Sequence, residues 1–343
     1  MTRRPPAVVA VLGAGSWGTT FAKVLADAGK RHGTQVRLWA RREDIAEEVN
    51  THHTNSQYLA ETVLPGNITC STDVAAVLAD VELVVIAVPA QSLRSQLGGW
   101  KPLISPDAVV VSLMKGLEVG TDDRMSQVLA GELGLPAERI AVVSGPNLAM
   151  EIARQEPTAS VVACPDPEVA TWIAAACTAS YFRPYTNTDV VGVEIGGIVK
   201  NVIALAVGIC EGKQMGDNTK ASVITRGLAE TTRLAVALGA EAETMAGLAG
   251  MGDLIATCSS SLSRNHTAGR LLGQGLTLDE VTAHMNQTAE GIKSAQAVLD
   301  LARQLRVDMP ITASVVAVLQ GNLSVHDLGP RLLARELKSE GEL

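Results

Sequence analysis

The stretch VVAVLGAGSWGTTFAKVLADAG, residues 8–29, decides the fold of the first part of the chain. An apolar run precedes Gly13, Gly15 and Gly18 in GxGxxG spacing, and a helical pattern follows them. In such a strand–turn–helix the first glycine makes a tight turn and the second lets the backbone approach a pyrophosphate. The third allows close packing of helix and strand. Because free N–H groups at a helix N-terminus attract phosphate, we predict a dinucleotide-binding turn here rather than an ordinary βα turn.

Further apolar runs extend this pattern through the first half of the chain. The predicted strands are Val8–Leu12, Val36–Trp39, Leu83–Val88, Val109–Leu113 and Ile140–Val143, with Ser160–Ala163 and Tyr181–Pro184 as candidates to extend the sheet. Helical patterns such as Thr19–Ala28 lie between several of them. This alternation favours a parallel sheet with helices on both faces.

After about Asp189 the pattern becomes helical. The predicted helices are Val190–Ile209, Lys220–Leu238, Leu278–His284, Gly291–Leu305 and Ile311–Leu319, with a last helix after Gly329. We therefore expect an α/β Rossmann-type domain with a parallel sheet over residues 1–190, followed by an all-helical domain over residues 191–343.

Composition narrows the function classes. A net charge of −8 argues against nucleic acid or an anionic membrane as the main partner. The five cysteines are scattered without a CxxC pair, which indicates a reducing cytosol without disulfides. We find no signal peptide and no apolar run long and clean enough to span a bilayer. These features predict a cytoplasmic protein without stable membrane insertion.

The end of the second predicted strand bears on the choice of cofactor. An NAD site usually has a carboxylate about 20 residues past the glycines to bind the ribose 2′-hydroxyl. This chain has Arg41 and Arg42 there, and arginines suit a 2′-phosphate. NADP(H) is therefore favoured, while NAD(H) stays open if Glu43 or Asp44 turns toward the ribose instead.

Ligands of open α/β sheets lie outside the carboxyl ends of the strands. Lys115 follows one predicted strand, and Gly145 and Asn147 follow the next one. We expect these three residues near the reactive end of the cofactor. The alternative for Lys115 is an ordinary surface lysine after a strand.

A second lysine, Lys200, stands in the apolar stretch GGIVKNVIALAVG, residues 196–208. A charged group in such a run is unfavourable unless something compensates it. Burial and a nearby cation such as Lys115 would lower its pKa, and a lysine near neutrality donates and accepts protons well. The alternative is a lysine that snorkels to the surface from a core helix.

The stretch GLAGMGDLIATCSSSLSRNHTAGRLLG, residues 247–273, carries Asp253 in a glycine-rich turn and Ser263, Arg264 and Asn265 ahead of a helical run. A guanidinium fork, a hydroxyl, an amide and free backbone N–H groups suit a phosphate or a carboxylate. The alternative is helix capping by Ser263 or Asn265 with an exposed Arg264.

Together these motifs resemble the bacterial NAD(P)-dependent sn-glycerol-3-phosphate dehydrogenase family. They are GAGSWGT (13–19), SLMKGLE (112–118), SGPNLAMEIA (144–153), GGIVKNVIALAVG (196–208), GDN (216–218), GMGDLIATC (250–258), SRN (263–265) and TAEG (288–291). They occur in the family's order and span nearly the whole chain. GxGxxG is widespread, whereas the lysine–asparagine helix combined with GDL and SRN is specific.

The resemblance implies interconversion of dihydroxyacetone phosphate and sn-glycerol 3-phosphate without a metal, for supply of glycerophospholipid precursors, by a homodimer. It makes Lys200 the proton donor and acceptor, with Lys115 and Asp253 in the catalytic group. It places around the substrate Lys115, Gly145, Asn147, Lys200, Asp253, Ser263, Arg264 and Asn265. It places around the cofactor, besides the three glycines, Ser16, Trp17, Arg41, Arg42, Lys115, Ala149, Arg264, Thr288 and Glu290.

The chain departs from the family at two points, with Ile198-Val199 where Ala-Leu is usual and Asn147 where Ser or Thr is frequent. These departures concern packing and substrate affinity rather than the reaction. His52 and His53 suggest zinc, but without a second ligand cluster we interpret them as polar loop residues.

Two other functions stay open. One is a related dehydrogenase with a Rossmann and a helical domain that acts on a β-hydroxyacid or sugar acid; the SRN stretch favours phosphate over that carboxylate. The other is a dinucleotide-sensing module without turnover, which would not need Lys200, Lys115 and Asp253 together.

Overall fold

The structure, a computed structural model, describes residues 3–285 and 289–328 and divides into two compact units. The first unit comprises the residues up to Met114 together with Arg124–Val190. The second comprises Lys115–Asp123 and the residues from Val191 onward. The sequence pattern predicts Lys115–Asp123 in the first domain, whereas in the structure this stretch belongs with the second unit. The predicted helix after Gly329 lies outside the described residues.

An eight-stranded sheet forms the centre of the first unit, in the order β3-β2-β1-β4-β5-β6-β7-β8. Its strands are β1 Val8–Leu12, β2 Gln35–Trp39, β3 Ile68–Ser71, β4 Leu83–Ile86, β5 Val109–Ser112, β6 Ile140–Ser144, β7 Thr158–Ala163 and β8 Phe182–Asn187. The predicted Rossmann-type fold class is confirmed. Strand β3 was not predicted, because its short sequence ITCS carries no apolar run.

One strand pair departs from the parallel arrangement. Strands β6 and β7 pair antiparallel, with Val143 opposite Val162, whereas the other neighbouring strands pair parallel. Between β6 and β7 stands a helix of five residues, Ala149–Ala153. At 1.5 Å per residue this helix is roughly 8 Å long, too short to carry the chain back along the sheet for a parallel crossover.

Helices cover both faces of this sheet. They are α1 Ser16–Gly29, α2 Glu43–His52, α3 Val74–Leu78, α4 Leu93–Trp100, α5 Met125–Leu133, α6 Ala149–Ala153 and α7 Pro167–Cys177. Strand β1 shows why its run is apolar throughout. Val9 and Val11 lie in the core on one face, and Ala10 and Leu12 lie in the core on the other.

The described part of the second unit is built mainly from helices. They are α8 Val190–Gly212, α9 Asp217–Ala237, α10 Ala242–Ala246, α11 Asp253–Ser259, α12 Arg264–Gly273, α13 Leu278–His284, α14 Glu290–Gln304 and α15 Pro310–Leu319. The predicted helices correspond to α8, α9, α13, α14 and α15 within a few residues. The short helices α10 and α11 had no clear periodicity in the sequence.

Helix α8 is the core of this second unit. Its residues from Gly192 to Cys210 are all buried. By length and composition alone it could cross a membrane, with a mean hydropathy of 1.9 over its best window, although the sequence predicts no such run. Because 89% of that window is buried against the rest of the protein, α8 has the character of a core helix in a globular unit.

Candidate active site

The turn between β1 and α1 is shaped by glycine contacts. Gly13 has a φ of +125°, and a Cβ there would lie 2.5 Å from the carbonyl oxygen of Ala87. A Cβ at Gly18 would lie 1.9 Å from the carbonyl oxygen of Gly13, so strand and helix approach more closely than any side chain permits. Around Gly15, in contrast, the space for a Cβ is open. We call residues 13–18 the phosphate turn.

The phosphate turn fits the pyrophosphate of a dinucleotide. No side chain caps the N-terminus of α1, which begins after Gly15. The indole Nε1 of Trp17 is buried without a hydrogen-bond partner among the described residues. The Ser16 hydroxyl donates to the carbonyl oxygen of Tyr58 at 3.1 Å. Open space and an uncapped helix end are features that a bound anion would complete.

The two arginines after β2 lie at the surface, Arg42 at the N-cap of α2. Arg42 contacts the Asp44 carboxylate at 3.2 Å and donates a hydrogen bond to the side-chain oxygen of Gln57. Glu43 accepts a hydrogen bond from the Thr72 hydroxyl at 2.7 Å. Both carboxylates that could favour NAD are thus engaged with other side chains.

Three of the predicted site residues follow the end of β6 in the chain. Gly145 has a φ of +139°, which favours glycine, and a Cβ there would lie 3.2 Å from Ser160. Both polar atoms of the Asn147 amide are buried without a partner among the described residues. Ala149 begins α6, and its carbonyl oxygen accepts from Thr20 at 3.2 Å. An unsatisfied buried amide is costly unless water or a ligand completes it, so Asn147 is suited to contact a ligand.

In the second unit, α8 passes very close to the glycine-rich turn before α11. A Cβ at Gly196, one helical turn before Lys200, would lie 2.5 Å from the carbonyl oxygen of Ala249. Ala249 belongs to a π-helical turn, Leu248–Gly252, that leads directly into Asp253. This close approach allows the buried side chain of Lys200 to reach Asp253.

A single carboxylate holds both lysines. The Lys200 ammonium donates to Asp253 Oδ1 at 2.5 Å and to the Thr257 hydroxyl at 2.8 Å. The Lys115 ammonium donates to Asp253 Oδ2 at 2.7 Å. Asp253 is 1% exposed and Lys200 is 7% exposed, so Lys200 does not snorkel to the surface. We call Lys115, Lys200, Asp253 and Thr257 the lysine cluster.

Burial sets the acidity of Lys200. Loss of hydration is the largest effect and, together with the positive charge of Lys115, lowers the pKa of Lys200 to about 7. The Asp253 carboxylate opposes both effects, because it stabilises the ammonium form. Near neutral pH the lysine is therefore poised between proton donor and proton acceptor.

The three residues of the SRN stretch have different roles. Ser263 is the N-cap of α12, and its hydroxyl oxygen accepts from the backbone N–H of His266 at 3.2 Å. The Asn265 amide donates to Asn201 Oδ1 and accepts from the backbone N–H of Gly291, both at 2.9 Å. Asn265 thereby joins α12 to α8 and α14. Arg264, between them, is exposed.

Glu290 begins α14, next to this junction, and one of its carboxylate oxygens is buried without a hydrogen bond among the described residues. Burial raises the pKa of Glu290, while Arg264 and Lys293 oppose the shift. Arg264 therefore lies within electrostatic reach of Glu290. Thr288 lies outside the described residues.

His52 ends α2, and His53 is its left-handed C-cap, with a φ of 53°. In residues 3–285 and 289–328, no group of three or more His, Cys, Asp or Glu side chains is arranged to hold a metal ion. All five cysteines are buried free thiols.

Sequence reasoning missed four polar residues of these sites. Thr257 lies four residues after Asp253 on α11, and this spacing on one helix face could have indicated it. Asn201 adjoins Lys200 and pairs with Asn265. Asn55 and Gln57 contact the phosphate turn and Arg42 from a loop. No periodicity in the sequence marks these last two contacts.

A Rossmann-type dinucleotide fold with a second, helical unit that buries a titratable lysine defines a class of NAD(P)-dependent dehydrogenases. Two family models, described as the N-terminus and the C-terminus of NAD-dependent glycerol-3-phosphate dehydrogenase, match residues 8–170 and 189–329. The chain belongs to this glycerol-3-phosphate dehydrogenase family.

Individual relatives agree. The chain is 56% identical over 335 residues to the glycerol-3-phosphate dehydrogenase [NAD(P)+] of Streptomyces griseus, with 98% of both chains covered. It is 56% identical over 332 residues to that of Thermobifida fusca, with 97% of this chain and 98% of the relative covered. The crystal structure of glycerol-3-phosphate dehydrogenase from Coxiella burnetii is similar with a TM-score of 0.89 and 37% identity. That match covers 96% of this chain and 99% of the other.

These similarities confirm the predicted family and the NAD(P)-dependent oxidoreductase class. The hypothesis of a sensing module without turnover is therefore not supported. The relatives are named for a phosphorylated substrate, which also disfavours the β-hydroxyacid and sugar-acid alternative.

Proposed function

We propose that this protein interconverts dihydroxyacetone phosphate and sn-glycerol 3-phosphate, with NADPH preferred over NADH and Lys200 as the proton donor and acceptor. The observation that carries the proposal is the buried Asp253 carboxylate shared by Lys115 and Lys200. The bound nicotinamide supplies or accepts the hydride at C2 of the substrate.

The lysine cluster supplies the proton. During reduction, negative charge builds on the carbonyl oxygen, and Lys200 in its ammonium form donates a proton to it. In the oxidation of glycerol 3-phosphate the neutral amine of Lys200 takes the proton from the hydroxyl. Asp253 orients the Lys200 amine, and Lys115 adds a positive charge that favours release of its proton.

The cofactor preference is supported by two features of the first unit. The phosphate turn offers an uncapped helix end for the pyrophosphate, with Ser16 and Trp17 at its start. Arg41 and Arg42 offer positive charge for a 2′-phosphate, while Glu43 accepts from the Thr72 hydroxyl and Asp44 faces the Nε of Arg42. The proposed cofactor site is completed by Lys115, Ala149, Arg264, Thr288 and Glu290. NADH is the alternative cofactor.

Substrate phosphate is assigned to the SRN stretch. Arg264 is exposed and carries a fork of donors that matches a phosphate dianion. The Ser263 hydroxyl accepts one hydrogen bond from the backbone, so its own proton can still be donated. Asn265 is held by α8 and α14 and thus fixes the position of Arg264. Gly145 and Asn147 of the first unit belong to the proposed substrate site as well.

The proposal includes a homodimer in the cytoplasm. Met251, Ile255 and Leu262 of the second unit expose 40–47% of their surface, which an association could cover. Buried free thiols fit a reducing compartment.

Opposite pH dependences in the two directions test the proposed proton transfer. We expect kcat for reduction of dihydroxyacetone phosphate to fall as pH rises through about 7, because the ammonium form of Lys200 is lost. We expect kcat for oxidation to rise over the same interval, because the neutral amine is the base. The measurement is NADPH consumption or formation across that pH range. Parallel profiles in both directions would contradict the assignment, and absence of turnover would contradict the substrate.

Arg264→Ala tests phosphate recognition. The change removes both charge and bidentate geometry, so KM for dihydroxyacetone phosphate should rise by about 10-fold or more, as expected for a lost charged hydrogen bond. Steady-state kinetics with dihydroxyacetone phosphate and with unphosphorylated dihydroxyacetone measure the effect. The unphosphorylated compound, a poor substrate from the start, should be affected far less.

The matched control for this change is Arg270→Ala, in the last turn of the same helix, which should leave KM nearly unchanged. The NADPH affinity of Arg264→Ala is measured separately. A smaller loss of that affinity is expected, because Arg264 also belongs to the proposed cofactor site together with Glu290. An equal loss on both substrates would show that Arg264 does not bind the phosphate.

A further inference from the structure

A short turn of the first unit contacts the phosphate turn at two places. This segment, Asn55–Tyr58, has the sequence NSQY, and we call it the NSQY turn. The Asn55 amide donates to the carbonyl oxygen of Ala14 at 3.0 Å and to the Thr19 hydroxyl at 2.9 Å. The carbonyl oxygen of Tyr58 accepts from the Ser16 hydroxyl at 3.1 Å. The NSQY turn is therefore hydrogen-bonded to the backbone of the phosphate turn at Ala14 and to two hydroxyl side chains in the first turn of α1.

The same turn contacts the arginine at the end of β2. Gln57 Oε1 accepts a hydrogen bond from an Nη of Arg42, while Arg42 Nε faces Asp44. A guanidinium has five N–H donors. Because these are its two contacts among the described residues, three donors remain for a ligand.

Hydrogen bonds hold the NSQY turn in place, both within the turn and to α2. Asn55 is fully buried, and its carbonyl oxygen accepts from the backbone N–H groups of Tyr58 and Leu59. The Glu48 carboxylate on α2 accepts from the Thr54 hydroxyl at 2.8 Å and from the Ser56 N–H at 2.7 Å. The NSQY turn is thus bound to α2, the helix that has Arg42 at its N-cap position, as well as to the phosphate turn. One segment therefore contacts both parts of the proposed cofactor site, the phosphate turn and Arg42.

The neutral side chain of Gln57 determines how much positive charge Arg42 can offer to a ligand. Its neutral amide oxygen orients Arg42 without neutralising it. Asp44 faces Arg42 Nε, whereas Gln57 faces an Nη, so the amide of Gln57 leaves the Nη side of the guanidinium without a carboxylate partner among the described residues. A carboxylate at position 57 would occupy the same geometry with a full negative charge.

We propose that the NSQY turn is a cofactor-specificity element, in which Gln57 holds the Arg42 guanidinium toward the 2′ position with its positive charge available for a 2′-phosphate. The inference deepens the proposed function and rests on it in one respect, namely that Arg42 reads the 2′-phosphate. It adds Gln57 to the residues that set the preference for NADPH over NADH, although Gln57 lies outside both the GxGxxG motif and the arginine pair.

Gln57→Glu tests the proposal, because it keeps the size and shape of the side chain and adds one negative charge. We expect the Kd for NADPH to rise by about 10- to 100-fold, the range of a lost charge-assisted contact, while the Kd for NADH changes by less than about threefold. Both constants are measured without substrate, by fluorescence titration of the nicotinamide or by calorimetry. Gln57 is exposed, so the melting temperature should stay near that of the wild type.

The matched control is Gln35→Glu, an exposed glutamine at the opposite end of β2, which adds the same charge away from the arginines. It should leave the ratio of the two dissociation constants unchanged. An equal change of the ratio in both variants would mean that any added charge has this effect, and would overturn the proposal.

Arg42→Ala separates this inference from the proposed function. If Arg42→Ala lowers the NADPH preference and Gln57→Glu does not, the role of Gln57 is wrong and the reading by Arg42 stands. If Arg42→Ala leaves the preference unchanged, both the reading by Arg42 and the role of Gln57 are wrong. A loss of preference in both variants, with Gln35→Glu unchanged, supports both.

Discussion

Replacing Lys200 with methionine should lower kcat by about 100- to 10,000-fold, the usual contribution of a general acid or base, and should preserve the fold. Methionine is unbranched and apolar, so it suits the buried interior of α8. Asp253 keeps the Lys115 ammonium as its partner, so no isolated buried charge is created. The measurements are kcat in both directions, NADPH affinity and melting temperature, of which only kcat should change strongly.

The control for this substitution is Lys220→Met. Lys220 lies on α9 of the same unit and pairs with the exposed Asp217 at 2.7 Å. Its loss should leave kcat near the wild-type value. If Lys200→Met also turns over near the wild-type rate, Lys200 has a structural role and the proton comes from another group.

The parts of this fold that depend on local patterns could be predicted from the sequence. The apolar strand before Gly13 and the helix after Gly18 define the dinucleotide turn, and the long helix around Lys200 is visible in its composition. Strand β3 could not be predicted, because a short edge strand with alternating burial has few apolar residues. The reversal of β7 depends on the length of α6, which the residue pattern does not fix.

In the sites, too, residue types could be predicted from the sequence, whereas contacts between distant residues could not. Lysine and aspartate could be identified as chemistry-bearing residues, but the sharing of Asp253 by Lys115 and Lys200 depends on contacts between residues far apart in the chain. Asn265 illustrates the limit. Its type suggests a ligand donor, yet its amide bridges Asn201 and Gly291, because helix packing places both within hydrogen-bond distance.

Asp253→Asn should impair the enzyme through the proton affinity of Lys200. Without the carboxylate, two ammonium groups face a neutral amide, and burial and mutual repulsion lower the pKa of Lys200 further below its usual value. At pH 7 the ammonium form becomes scarce, so kcat for reduction should fall by about 100-fold or more. Because one partner of a buried ion pair is lost, the free energy of unfolding should fall by up to about 3–5 kcal/mol, less if Lys200 is neutral.

The sign of the pH dependence distinguishes this role of Asp253 from a merely structural one. Lowering the pH restores the ammonium form of Lys200, so reduction by Asp253→Asn should recover partly in acid, and the falling limb of its profile should lie at lower pH than in the wild type. Oxidation, which needs the neutral amine, should lose less at neutral pH. Asp217→Asn, which removes an exposed carboxylate of the same unit, should leave both the limb and the stability unchanged. If the pH profile of reduction by Asp253→Asn falls at the same pH as that of the wild type, Asp253 does not set the proton affinity of Lys200. The cluster would then orient the lysine without tuning it.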